Sequence, residues 1–199
     1  MKIIEKIKTN KSIDNQTEIQ KICLDKLKSS PLPNLKSEKW RLSNKSKFSN
    51  FLDYSVNEKN SKFDTPFPNT SQSTIRLVIG DNCQINLIEE NYSIKQLSEE
   101  KLVKYIKEQI SCFDQNENWS DLLNLSLNCT KNTLGLKISG SEIPPIEIFS
   151  HASSNSLNAK TLIIFLEKNC DIDLLQVNLG KENSSLSQST FFCLEENSS

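Results

Sequence analysis

The chain has one histidine, His151, so any imidazole-based acid-base or nucleophilic mechanism must run through that residue. Glycine is also scarce, occurring only at 80, 135, 140 and 180. None of the four builds a GxGxxG or P-loop pattern whose backbone amides would cradle phosphate, which argues against nucleotide binding. Long apolar runs are missing as well: Leu162 to Leu166 is far short of the roughly 20 residues a membrane-crossing helix needs, so no membrane partner is expected. Charge of one sign is not in excess, with 24 Lys plus Arg against 25 Asp plus Glu, which removes the electrostatic case for nucleic acid. Met1 to Thr9 carries lysines, but polar residues from Thr9 to Thr17 stand where an export signal needs an apolar stretch. A cytoplasmic location, or a plastid stroma, is the expectation.

The six cysteines, at 23, 83, 112, 129, 170 and 193, form no CxxC pair, and even the nearest two, Cys112 and Cys129, are far beyond that spacing. Zinc knuckles and ferredoxin-type sites need thiolates that one local turn can present together. Scattered cysteines in a cytoplasmic chain are ordinarily small buried apolar residues. A metal role is left open only for Cys170 and Cys193, should stacked strands bring them together.

Along the chain, Ile19, Ile22, Cys23 and Leu27 recur at helical spacing, with Asn15 or Thr17 as the N-cap and Pro31 ending the pattern. Ile3, Ile4 and Ile7 suggest a shorter helix before it. Residues 55–73 are dominated by Asn, Ser and Lys and read as a surface linker. Thr74–Ile79 and Gln84–Ile88 are short β-rich runs joined by Gly80, Asp81 and Asn82, the composition of a hairpin. Ser98 caps a helix whose face carries Leu102, Tyr105, Ile106 and Ile110, with Glu99 and Glu100 at its N-terminal dipole. A further helix runs from Trp119 through Leu122, Leu123 and Leu127. From Thr133 the period changes to that of strands, at Leu134–Ile138, Ile146–Phe149, Thr161–Leu166, Ile172–Leu179 and Ser189–Leu194. No strict repeat is visible among them. The successive apolar residues of Leu162–Leu166 suit a strand covered on both faces.

Asp171 and Asp173 fall two apart on a predicted strand and so share a face, where they could bind a cation or a proton between them. Charges protecting a sheet edge explain them equally well. His151 follows a predicted strand without any accompanying nucleophile motif and reads as a partly exposed strand-end residue.

Three stretches bear a resemblance to a known family. The run Pro31-Leu32-Pro33 followed by Lys36-Ser37-Glu38-Lys39-Trp40-Arg41-Leu42 looks like the Pro-turn and Lys-x-Glu-x-Trp-Lys/Arg-Tyr-Thr segment of SufD proteins, with Leu42 and Ser43 in place of Tyr and Thr. Trp119 to Leu127, through Leu123 and Asn124, is similar to the family's Phe-x-x-Leu-Asn helix, and Ile143-Pro144-Pro145-Ile146 to a later stretch. Ala159-Lys160-Thr161-Leu162-Ile163-Ile164 with Glu167 and Leu174-Leu175 resembles its Arg-x-Leu-Ile-x-x-Glu and Leu-Leu-Glu strands, Lys160 replacing the Arg.

The resemblance to the N-terminal half of the SufB/SufD family implies an α+β fold. Residues 1–130 would be a helical region with a hairpin, and residues 131–199 the first coils of a truncated right-handed parallel β-helix. It implies a non-enzymatic scaffold subunit of the SUF iron-sulfur cluster assembly complex, acting through contacts with SufB-like and SufC-like (ABC-type ATPase) proteins. An iron-sulfur cluster would be handled transiently by the complex, with no cofactor held stably by this chain. No catalytic or cofactor-binding residue of the family transfers onto these positions. The alternative is a β-solenoid carbohydrate-active enzyme using Asp171 and Asp173, which would need a second carboxylate at a set separation.

Overall fold

A computed structural model describes residues 17–29, 55–56, 74–79, 85–113, 118–127, 132–152 and 156–199. Among these residues three helices, α1 (Glu18–Ser29), α2 (Glu99–Cys112) and α3 (Trp119–Leu127), form where the 3.6-residue period places them. Thr17 and Gln20 close α1 as a reciprocal capping box: Thr17 N–H donates to Gln20 Oε1 at 2.8 Å, and Gln20 N–H donates to Thr17 Oγ1 at 3.3 Å. Its buried stripe, Ile19, Cys23, Leu24 and Leu27, packs with Leu102, Ile106 and Ile110 of α2 and with Trp119, Leu122 and Leu125 of α3. Lys26 reaches the Ile110 carbonyl at the C-terminal end of α2, where a cation suits the dipole. The helix suggested by Ile3, Ile4 and Ile7, the Pro31/Pro33 turn and the Trp40 segment lie outside the described residues.

Among the described residues nine strands make two sheets. The larger holds β1 (Ser55–Val56), β3 (Asn86–Ile88), β4 (Tyr92–Gln96), β5 (Thr133–Gly140), β7 (Ser156–Leu166) and β9 (Ser185–Leu194). The smaller is β2 (Ile75–Val78), β6 (Ile146–Ala152) and β8 (Leu174–Gly180), all parallel. Alternate residues of β7 serve two cores. Leu157, Ala159 and Ile163 pack against the helices, while Leu162, Ile164 and Leu166 join Ile146, Ile148, Leu136 and Ile138 between the sheets. Covering on both faces is what the unbroken apolar run of β7 predicts.

This architecture overturns the right-handed parallel β-helix expected after residue 131. The described residues form two separate sheets, neither closed on itself and neither part of a solenoid. In the larger sheet β3, β4 and β5 are antiparallel neighbours, so a hairpin flanks the parallel strands β5, β7 and β9. The expected hairpin of Thr74–Ile79 with Gln84–Ile88 is also absent. β2 pairs in parallel with β6 in one sheet, and β3 pairs with β4 in the other. The physical reason is β4: Tyr92–Gln96 is too polar to read as a strand, yet Ile94 is buried against Ile138, and this pairing claims β3. Gly140, at φ 104°, seats the join between β4 and β5. A Cβ there would come within 2.1 Å of the Asn91 carbonyl oxygen.

The parallel strands return in a fixed register: Thr133 lies beside Thr161, Thr161 beside Ser189, and Ile146 beside Leu174. The turns that follow match too. Leu166-Glu167-Lys168-Asn169 and Leu194-Glu195-Glu196-Asn197 stack, with Asn169 and Asn197 both left-handed, at φ 58° and 59°. Asn197 Nδ2 donates to Asn169 Oδ1 at 3.1 Å, and Lys168 pairs with Glu196 at 2.6 Å. No helix among the described residues is long and apolar enough to cross a membrane.

Candidate functional site

A group of buried polar side chains lies where α3 meets β7. Asn124, buried on α3, donates from Nδ2 to the Lys160 carbonyl at 2.9 Å and to Thr161 Oγ1 at 3.3 Å. Lys160 itself is 2% exposed, and its ammonium donates to the Ile79 carbonyl at 3.3 Å and to Asn132 Oδ1 at 3.1 Å. A lysine is rarely buried without such acceptors, because desolvating the ammonium is expensive. Lys160 is on the face of β7 that carries Leu162 and Ile164, so its ammonium enters the space between the sheets and ties β7 to the end of β2. One step along, Ser189 of β9 donates to Asp121 of α3 at 2.8 Å. Outside this group, Arg76 of β2 pairs with the buried Glu147 of β6 at 2.8 Å, the two standing side by side in register.

The second feature is a cavity of about 500 Å³ between α2 and the helix-facing side of β5, β7 and β9. Its walls include Tyr105 and Phe165, set edge-to-face with ring centroids 4.9 Å apart, and Cys193. Lys101, Lys104, Lys137, Glu108, Glu167 and Glu195 line it with balanced charge. Burial pushes the Cys193 thiol up, against the opposing effect of the Tyr105 hydroxyl that donates to it. Burial likewise pushes Tyr105 up, reinforced by Cys193 and Glu108. Lys137 is raised by its hydrogen bond and ion pair with Glu167. At neutral pH Cys193 is therefore a protonated thiol, whereas nucleophiles and metal ligands are thiolates. The cavity offers an aromatic and thiol floor with a zwitterionic rim.

The residues singled out from sequence fall elsewhere. Asp171 and Asp173 do not share a strand face. They precede β8 in an exposed connection, where Asp171 Oδ1 accepts from the Ser199 hydroxyl at 2.6 Å and the Asp173 backbone carbonyl accepts from Ile146 N–H. His151 is 5% exposed and sits within β6, whose seven residues are all buried, rather than at an exposed strand end. Cys170 packs between the sheets while Cys193 faces the α2 cavity, so the two do not come together as a ligand pair. Cys23, Cys112, Cys170 and Cys193 are free thiols, and no cluster of three or more His, Cys, Asp or Glu side chains is placed to hold a metal among the described residues. Cys83 and Cys129 lie outside the described residues. Lys160 was legible only as a replacement for arginine, and its burial has a signal in hindsight: one cation amid Leu157, Ala159, Leu162, Ile163 and Ile164.

Comparison of the chain with family models, with curated proteins and with solved structures finds no match in any of the three.

Proposed function

We propose that this chain is a scaffold subunit of the SUF iron-sulfur cluster assembly machinery, of SufD type, working through contacts with SufB-like and SufC-like proteins. One observation carries the reading. Two of the stretches that resemble the family, Leu123-Asn124 on α3 and Ala159-Lys160-Thr161 on β7, are distant in sequence and meet in the core through the two hydrogen bonds of Asn124. Residues that share a resemblance and also share a buried contact have a common structural task. Here that task is to fix the helical layer on the sheet. Lys160 keeps a cation where the family carries arginine. Its bonds to Ile79 and Asn132 give a buried cation its acceptors at a position that is otherwise apolar, which supports the reading.

In this reading the chain contributes surface rather than chemistry, and an iron-sulfur cluster is cargo of the assembled complex. The test is co-expression of the tagged 199-residue chain with a SufB-like and a SufC-like protein, followed by purification at two salt concentrations. Retention of both partners, with cluster assembly slowed when this chain is omitted, is the expected result. A folded chain that recovers neither partner from either tag position would sink the proposal.

A further inference from the structure

The scaffold reading leaves the cavity under α2 without a task, although its volume of about 500 Å³ is that of a site for a small organic molecule. α2 turns one face to it. Lys101, Lys104, Tyr105 and Glu108 stand at i, i+3, i+4 and i+7 and all line the space. Leu102, Ile106 and Ile110, on the neighbouring face, are committed to the helical core. At about 1.5 Å per residue the row from Lys101 to Glu108 is about 10 Å long.

The row changes chemistry along its length. Toward the N-terminal end of α2, Lys101 and Lys104 make no ion pair among the described residues. The rim carboxylates do not offset them fully. Glu167 is taken by Lys137, and Glu195 accepts from the Lys168 backbone N–H at 3.1 Å. Two cations are then left against Glu108 alone, and Glu108 stands at the far end of the row, so the Lys101 and Lys104 end attracts an anion. Beside Lys104 the lining is aromatic. Tyr105 and Phe165 meet edge-to-face at 4.9 Å, and both are only partly buried, so ring surface is left toward the cavity. A further aromatic ring laid on such a pair gains more than an aliphatic chain of equal area. An anionic group joined to a flat aromatic body matches this sequence of surfaces.

We propose that the cavity under α2 binds a planar aromatic carboxylic acid of one or two rings, its carboxylate held by Lys101 and Lys104 and its ring laid against Tyr105 and Phe165. This goes beyond the proposed scaffold function and does not depend on it.

Isothermal titration calorimetry of the full chain with 2-naphthoate tests it, with 2-naphthalenemethanol as the uncharged comparator and decanoate as the aliphatic one. Cys193 lines the same cavity and reports on the place of binding through its rate of alkylation, read peptide by peptide by mass spectrometry, with the exposed Cys112 as the internal control. The expected result is saturable binding of 2-naphthoate, tighter than either comparator, that slows alkylation of Cys193 and leaves Cys112 unchanged. Lys101→Gln combined with Lys104→Gln should weaken it by roughly tenfold or more, through the loss of two charge-assisted contacts. Both lysines are exposed, and circular dichroism checks that the variant stays folded. Absence of binding at millimolar 2-naphthoate overturns the proposal, as does affinity indifferent to the two lysine substitutions. Equal affinity for decanoate overturns the aromatic assignment, and binding that leaves Cys193 unprotected overturns the placement.

Discussion

Replacing Asn124 with alanine removes the two hydrogen bonds that pin α3 to β7, at 2.9 Å and 3.3 Å, from a side chain that is 1% exposed. Each such bond contributes about 1 kcal/mol net. The void left by the amide in a close-packed interior adds about another 1 kcal/mol. A loss of roughly 2–4 kcal/mol follows from these terms, at the upper end of single substitutions. For a chain of this length each kcal/mol shifts the melting temperature by about 2–4 °C, so a fall of roughly 4–16 °C is expected. Urea titration followed by tryptophan fluorescence is the assay, since Trp119 is buried one turn before Asn124 on α3 and reports on the same junction. Asn91→Ala is the control, its amide making one exposed bond to Glu142. A change at Asn124 below about 0.5 kcal/mol, the range of ordinary surface substitutions, would refute the claim that this contact fastens the helical layer to the sheet.

Arg76→Ala should destabilise by about 2–4 kcal/mol, because Glu147 is buried and loses its guanidinium, and Arg76→Ala combined with Glu147→Gln should recover part of that in the same titration. At the left-handed position 169, Asn169→Gly should be nearly neutral while Asn169→Val costs about 1–2 kcal/mol, read as a difference in melting temperature. Burial pushes the Cys23 thiol from 9.0 up to about 12, so the folded chain holds that proton after the unfolded chain has released it. The stability Cys23 contributes is therefore intact below pH 9 and lost progressively up to about pH 12, at about 1.4 kcal/mol per pH unit. Cys23→Ala should flatten the alkaline limb of a stability-against-pH curve. An unchanged slope would show that the thiol does not titrate as a buried group.

Secondary structure was legible wherever a segment's own side chains settle it. α1, α2 and α3 follow from apolar residues three and four apart, and β5 from its alternation up to Gly140. β4 was not legible, because a polar strand is stabilised by neighbours. Ile94 finds Ile138, and Ser93 bonds Ser139 at 2.8 Å, only once β5 is beside them. The stacked turns after Leu166 and Leu194 were visible as a repeated Leu-Glu-x-Asn, but two copies among irregular neighbours do not stand out without the register that aligns them. The aspartates misled because spacing of two means a shared face only inside a strand, and β8 begins after them.

By itself the sequence determined the helices, the β-rich character after Thr133, the balanced charge and the absence of clustered thiols, since each depends on residues close together in the chain or on a sum over it. Among the described residues only the tertiary structure decided which strands pair, that they form two sheets and no coil, that Lys160 lies in the core, and that Asp171 and Asp173 fall outside β8. Those outcomes come from contacts between distant residues, where the burial of one strand depends on which other strand arrives beside it.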